Sequence, residues 1–247
     1  MPVLITEVIR RSKQGVTFPF LCRSEGGQHY FVKGSGVGKS GLRAEWLGGC
    51  LARTFGLPVP GFDQVIVPED LIKYSAIEGI GELGTKTAFG SAAVQGAQEI
   101  TFLQSQAVDL ALRAKALLFD WWIQHGDRTL TAKGGNPNLI CTGYKAPIIS
   151  LIDHHSAFDA ELNTNDFWML HVFSNARALW TEAFIAEMTP RLENALDQLP
   201  VFWSQLPESW LDDEEGQPDT SALELARITT ILARPLTAPQ PFWEGVL

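Results

Sequence analysis

Apolar runs of strand type fill the first third of the chain, and helical apolar spacing takes over near residue 99. Val3 to Ile9 is rich in β-branched residues, "VTFPFLCR" (16–23) is a second such run and "HYFVK" (29–33) a third. Between the last two, "SEGGQ" (24–28) is a hairpin signal, so the chain is predicted to open as an antiparallel meander. Residues 40–56 then read as a helix. Leu42, Trp46 and Cys50 fall near one face, Ser40 can cap the start and Gly56 the end. "LPVP" stops that helix and "FDQVIV" (62–67) returns to strand. Residues 75–100, rich in Gly, Ala and Ser, read as a connection rather than a core element. Residues 99–124 are predicted as one long amphipathic helix, "APIISLID" (146–153) as a strand, and 166–180, 181–199 and 220–234 as helices. There is no internal repeat. A β-rich start followed by an α-rich remainder, with polar motifs at the seam, predicts an α+β fold.

Composition narrows the function classes. The 247 residues suffice for one large domain or two small lobes, and 45% apolar with 19% charged residues is a globular composition. A net charge of −9 without a Lys/Arg cluster argues against direct nucleic-acid binding. Asp212 to Glu215 reads as a solvated acidic loop. Cys22, Cys50 and Cys141 lie far apart without a metal spacing, which predicts a reducing, cytoplasmic setting. The N-terminus carries its positive charge after the apolar stretch, the reverse of a signal peptide, and the apolar run "ALLFDWWI" is short and contains Asp120. No membrane span is expected.

"FVKGSGVGKSG" (31–41) invites a phosphate-loop reading with Lys39 as its lysine. A Walker A loop would need glycine where Lys33 stands, and Gly34 comes one residue late. Asp153, ending "IISLID", could serve as the acidic strand end. That architecture, however, needs a parallel sheet, and this strand is predicted in an antiparallel hairpin. The alternative is a flexible connection.

A kinase-type site asks for a different set of residues. It needs a third-strand lysine for nucleotide phosphates and a helix glutamate to orient it. It also needs a catalytic aspartate, an amide downstream and a second aspartate after a short strand. The chain supplies these in order: Lys33, Glu45, Asp127 in "QHGDRTL", Asn138 in "GGNPNLI" and Asp153. Individually they also read as a surface lysine, a solvated helix residue, turn residues and a strand cap. The ordered set carries the signal.

"YFVKG…EWLGGCLARTFGLPVP", "AFGS", "LLFDWWIQHGDR", "NPNLI", "LIDHHSAFD" and "LPESWL" together resemble the HipA-like kinase family, a bacterial branch of the protein-kinase-like superfamily with a lipid-kinase-like "GDR" pattern. The resemblance spans roughly residues 15–235. It implies a two-lobed kinase fold, with a β-rich N-lobe over 1–98 (an antiparallel sheet plus one helix) and a mainly helical C-lobe over 99–247. It also implies ATP, Mg²⁺ and phosphoryl transfer to Ser/Thr of a protein substrate. A toxin role with an antitoxin or regulatory partner comes with the family. Lys33 then resembles the phosphate lysine and Glu45 its partner. Gly15, in the loop joining the first two strands, is the one glycine available to cover the phosphates. Asp127 resembles the catalytic base, and Asn138 and Asp153 resemble the metal ligands, with Asn136 the alternative to Asn138. Phe89, Gly90 and Ser91 match the family's "FGS" element. His155 stands where glycine is frequent.

Other readings remain beside this one. A pseudokinase would keep the fold as a binding module. His125, Asp127, Asp153, His154 and His155 could form a zinc-type site, although adjacent side chains at a strand end diverge. Core packing accounts for Trp121, Trp122, Trp203 and Trp210. Arg128 is read as a brace for the loop or a nearby carboxylate. Ser12, Ser35 and Ser40 are candidates for autophosphorylation from position alone.

Overall fold

The structure is a computed structural model that describes residues 1–12, 18–143, 146–211 and 220–246. Gly15 and the acidic run from Asp212 to Glu215 lie outside the described residues. The chain opens with β1 (Val3–Arg11), β2 (Phe20–Ser24) and β3 (His29–Lys33), paired antiparallel in sequence order. The β2–β3 hairpin closes where predicted: the Ser24 N–H donates to Gln28 O at 2.9 Å, and Gly27 takes a φ of 78°. Two further strands, β4 (Phe62–Ile66) and β5 (Ala88–Ala92), complete the order β1-β2-β3-β5-β4. A parallel pairing of β1 with β4, Val3 to Val65 and Leu4 to Ile66, closes this sheet into a barrel. The expectation of a purely antiparallel sheet with a single helix is therefore modified, since closure uses a parallel edge and a short second helix follows β4. Period-two alternation turns Phe20, Cys22, Tyr30, Val32 and Val65 inward as the barrel's core.

The glycine-rich stretch expected as a connection contains β5. Its Gly90 sits in mid-strand because a Cβ there would lie 2.6 Å from Val65 Cγ1 and 3.2 Å from Tyr30 Cδ1. Composition read this as a loop, whereas the packed barrel needs the missing side chain. Only the part after Ala92 connects the barrel to the helical remainder of the chain.

Helix α1 (Gly38–Phe55) starts two residues before the predicted cap, after a 3₁₀ turn over Ser35–Val37, so Ser40 lies inside it. It ends on Gly56 at a φ of 91°, whose N–H returns to Ala52 O and Arg53 O, the left-handed stop that glycine permits. Helix α2 (Glu69–Lys73) follows β4. Beyond β5 come β6 (Gln98–Glu99), α3 (Phe102–Ala107) and α4 (Leu110–Trp122). The single helix predicted over 99–124 is thus broken. Thr101 and Gln104 form a capping box for α3, and Asp109 breaks the run by accepting from the Leu112 N–H at 2.9 Å to start α4. A hairpin of β7 (Leu139–Thr142) and β8 (Ile148–Leu151) is followed by α5 (Thr164–Leu170), and the rest of the predicted 166–180 helix is a 3₁₀ segment, Ser174–Leu179. Helices α6 (Glu182–Asp197), α7 (Leu199–Ser204), α8 (Glu208–Leu211) and α9 (Ser221–Leu232) then precede two short C-terminal helices.

The main core forms where α1 meets these helices. Leu47, Leu51 and Phe55 pack with Leu117, Leu118, Trp121 and Trp122 of α4. Trp121 and Trp122 are core residues as expected, and their indole N–H groups donate to Phe242 O at 2.9 Å and Leu232 O at 2.8 Å. Truncating either to Ala would cost about 3–5 kcal/mol. Among the described residues no helix is long and apolar enough to cross a membrane.

Candidate active site

The alternation that turns Val32 into the barrel turns Lys33 the other way, into a cleft between the barrel and the β7–β8 hairpin. Phe31, Val59, Phe62, Phe89, Ile140 and Leu151 give this cleft an apolar wall. Lys33, Glu45, Asn136, Asn138 and Asp153 form its polar end. Phe89 and Ser91 of the "FGS" element line it, while Gly90 does not, and Ser12 reaches its rim.

Lys33 Nζ lies 2.5 Å from Glu45 Oε1 and 2.5 Å from Asp153 Oδ1. Three elements are joined by that ammonium: β3, α1 and the turn after β8. Burial disfavours its charge, yet Glu45 and Asp153 outweigh burial and raise its pKa above the ordinary lysine value. Burial likewise opposes ionisation of Asp153, but Lys33 and His155 hold its carboxyl far below the usual range. Glu45 uses its second oxygen to accept the backbone N–H of His154 at 3.0 Å. Gly48 permits this approach of helix and turn, since a Cβ there would stand 2.6 Å from His154 Cβ.

Asp127 is held by two amides. Its Oδ2 accepts from Asn136 Nδ2 at 2.8 Å and from Asn138 Nδ2 at 3.0 Å, and its carbonyl accepts from Asn138 Nδ2 at 3.3 Å. With Nδ2 committed to Asp127, Asn138 offers Oδ1 as its acceptor. Both asparagines are therefore brought to the aspartate. Asn138 differs in standing directly before β7 with its backbone carbonyl gripped.

The grip comes from Arg128. Fully buried, it donates from Nε to Asp120 Oδ2 at 2.7 Å and from Nη2 to Asp120 Oδ1 at 3.3 Å. Its Nη1 donates to Ile152 O at 3.2 Å and, in a short contact, to Asn138 O. One side chain thus holds the main chain at the start of β7 and at the end of β8. Asn138 and Asp153 adopt left-handed φ values of 46° and 60°, a region Asn and Asp tolerate better than other side chains. Such conformations persist where the surroundings over-determine them. The brace predicted for Arg128 is present, and its carboxylate partner is Asp120.

Asp120 went unassigned on the sequence. It accepts from His171 Nε2 at 2.9 Å as well as from Arg128, and His125 Nδ1 lies 3.3 Å from its Oδ1 but off the hydrogen-bond direction. Although burial opposes its charge, Arg128 and the two histidines hold its carboxyl well below the usual range. The available signal was an acid inside "ALLFDWWI", since an acid within a buried apolar run must be paired. The five-residue His/Asp zinc set is not assembled, because His125 belongs to the Asp120 cluster and the His154 ring packs on Phe119. Among the described residues, the His/Cys/Asp/Glu group close enough to share an ion is Glu45, Asp153 and His155.

Lys39 lies in the first turn of α1, away from the cleft lining, and β3 is flanked antiparallel by both β2 and β5. The phosphate-loop reading is overturned by that sheet order. Asp127 also lines a second cleft, with His155, Ser156 and Asp159.

As for ion chemistry, the oxygen of Asn138 and the carboxylate of Asp153 are hard donors on neighbouring strand ends, a set that suits a hard divalent ion such as Mg²⁺. A family model described as HipA-like kinase matches residues 5–246. Among solved structures, the crystal structure of a Helicobacter pylori proinflammatory kinase, CtkA, is similar with a TM-score of 0.54 at 10% identity, covering 95% of this chain and 94% of that one. At that identity the likeness concerns the fold. A search of curated protein sequences gives no match.

Proposed function

The chain belongs to the HipA-like kinase family, and from that premise we propose that it is an ATP- and Mg²⁺-dependent phosphotransferase acting on a serine or threonine hydroxyl of a protein. The observation that carries this reading is the buried ion triad in which Lys33 bridges Glu45 and Asp153. An ammonium fixed on a strand by a helix carboxylate is a preorganised partner for a nucleotide's phosphates. In this reading the barrel part is the N-lobe, the helical part the C-lobe, and the adenine lies against the apolar wall of the cleft between them.

Asp127 accepts the acceptor's hydroxyl proton at Oδ1, since Oδ2 already accepts from both asparagines. Asn136 and Asn138 orient its carboxylate from one side, which leaves the second cleft as the acceptor's approach. Asn138 and Asp153 would hold the metal, whose contribution when bound is to neutralise developing charge on the phosphates. Arg128 keeps both in register. A cytoplasmic location and an antitoxin or regulatory partner go with the family reading.

Calorimetry with ATP·Mg²⁺ tests the assignment. Binding should be lost in Lys33→Ala and retained in Lys39→Ala, and the reverse would overturn it. Asp127→Asn should keep binding and lower phosphoryl transfer by about a hundredfold or more. Unchanged transfer in that variant would remove Asp127 as the base, and no transfer by the wild type to any protein acceptor would favour a scaffold.

A further inference from the structure

Trp210 is buried to 1% exposure, yet it lies outside the main core. It packs in a separate cluster with Leu42, Phe89 and Leu206, against which Trp46 and Phe62 also pack. Three parts of the chain meet there: α1, the barrel strands β4 and β5, and the α7–α8 segment. The barrel has a core of its own, and α1 is packed on α4 through Leu47, Leu51 and Phe55. The aromatic cluster is thus a joint between the barrel and the helices.

Polar contacts tie both sides of the joint to the segment 205–210. Trp210 Nε1 donates to the carbonyl of Thr87, directly before β5, at 2.8 Å. Gln64 Nε2 of β4 donates to Gln205 O at 2.6 Å, and Arg43 Nη1 of α1 donates to Trp210 O at 2.7 Å. The Trp210 ring meets Trp46 edge-on at 6.5 Å. Trp46 in turn meets Phe62 at 5.4 Å, and Phe62 lies 5.7 Å from Phe89.

The same residues border the ion triad. Phe89 is the direct cross-strand partner of Lys33 in the β3–β5 ladder. Leu42, Arg43 and Trp46 flank Glu45 on α1. Phe62 and Phe89 also line the apolar wall of the cleft. The approach of Lys33 to Glu45 therefore depends on how the barrel sits on α1, and Trp210 is bonded to both. A large rigid ring with a single donor fills such a joint and fixes its angle.

We infer that Trp210 is a positioning residue: it pins the barrel to α1, so that Lys33 and the Phe62–Phe89 wall stand in place before a nucleotide arrives. This role rests on the kinase reading of the cleft. Preorganisation counts here because a misplacement of about 1 Å can cost about a hundredfold.

The test compares Trp210→Phe with Trp122→Phe in the full chain. Both lose an indole bond to a carbonyl from a fully buried ring, but the ring neighbours of Trp122, Phe55 and Phe119, line neither cleft. Spin labels on Glu25→Cys of the β2–β3 hairpin and Glu193→Cys of α6, both exposed, report the barrel's position by pulsed distance measurement, and the native cysteines are buried. Wild type and Trp122→Phe should share one narrow distance distribution. Trp210→Phe should broaden it, and saturating ATP·Mg²⁺ should narrow it again by selecting the competent arrangement. Calorimetry should find ATP·Mg²⁺ binding weakened about tenfold in Trp210→Phe and less than about twofold in Trp122→Phe. A narrow distribution in Trp210→Phe, or an affinity loss no larger than that of Trp122→Phe, overturns the inference and leaves the kinase reading standing. Failure of the wild type to bind nucleotide overturns the kinase reading and the positioning role with it, whatever the distances show.

Discussion

Arg128 is the side chain on which the site's geometry depends most, and its removal can be worked through. The guanidinium spends four contacts: two on Asp120, one on Asn138 O and one on Ile152 O. Arg128→Ala leaves Asp120 fully buried beside His171 and His125, and breaking a buried pair from one side costs about 3–5 kcal/mol. Asn138 O keeps the Ile152 N–H at 3.1 Å, so the carbonyls add about 1 kcal/mol. A total near 4–6 kcal/mol consumes much of a typical stability of about 5–15 kcal/mol. Arg128→Lys keeps the charge but cannot span all four acceptors, and should cost about 1–3 kcal/mol. The origin of the loss has a pH signature. In the wild type Asp120 is depressed, so its contribution is complete above an unfolded pKa of about 3.9 and is lost as pH falls through the folded value. In Arg128→Ala only the two histidines oppose burial, the Asp120 pKa rises, and the folded variant takes up a proton that the unfolded chain does not. Its deficit should be largest near neutrality and shrink towards pH 5. Urea denaturation of wild type and both variants at several pH values measures this. A deficit that does not change with pH, or Arg128→Ala within about 1 kcal/mol of wild type, would refute the buried-pair reasoning.

Other expectations rest on single contacts. Gly90→Ala should destabilise by about 1–3 kcal/mol, because the new Cβ meets Val65 and Tyr30 inside the closed barrel; a neutral thermal melt would contradict that packing. Gly48→Ala should lower stability by a similar amount and also weaken nucleotide binding, since it pushes His154 off the helix carrying Glu45; calorimetry that finds wild-type affinity would separate the two effects. His154, chiefly through burial, and His171, also buried, have lowered pKa values. Unfolding below an unfolded pKa of about 6.5 therefore takes up protons, and stability should fall with acidification by up to about 1.4 kcal/mol per pH unit for each. A flat stability profile between pH 7 and pH 5 would count against neutral burial of both rings.

Much of the site was legible because phosphoryl-transfer chemistry needs few residue types in a fixed order along a chain. Lys33, Glu45 and Asp153, far apart in sequence, meet at one ammonium, and Asp127 meets Asn136 and Asn138 on one loop. Local signals were also enough for the β2–β3 hairpin and the Gly56 helix stop. What failed was whatever depends on tertiary context. The β5 strand hides in glycine-rich sequence because its glycine answers to Val65 across the barrel. The parallel β1–β4 closure has no local signature at all. The break at Asp109 lies within an unbroken apolar period, and only the capping chemistry of Thr101 and Asp109 marks it. Asp120 and His171 were missed because pairing partners of a buried acid are set by folding, and the contact of His155 with Asp153 likewise depends on a left-handed turn.

The ion triad itself sets stability against function. Lys33, Glu45 and Asp153 place one positive and two negative charges in a largely buried cluster. Taking such charges out of water costs several kcal/mol each, so a buried ionic cluster is poor evidence of a stability element. If the triad exists to meet phosphates and an ion, neutralising all of it should leave the fold intact. In Lys33→Met alone, two buried carboxylates lose their counter-charge, and the cost should be about 3–5 kcal/mol. Adding Glu45→Gln and Asp153→Asn removes those stranded charges, Gln keeps an acceptor for the His154 N–H, and Asn suits the left-handed backbone at 153. The triple variant should recover to within about 1 kcal/mol of wild type or exceed it, while binding no ATP·Mg²⁺. Denaturation of both variants, with calorimetry on the triple, decides the matter. A triple variant as unstable as Lys33→Met would mean the cluster holds barrel and helices together, and its presence would then say nothing about nucleotide.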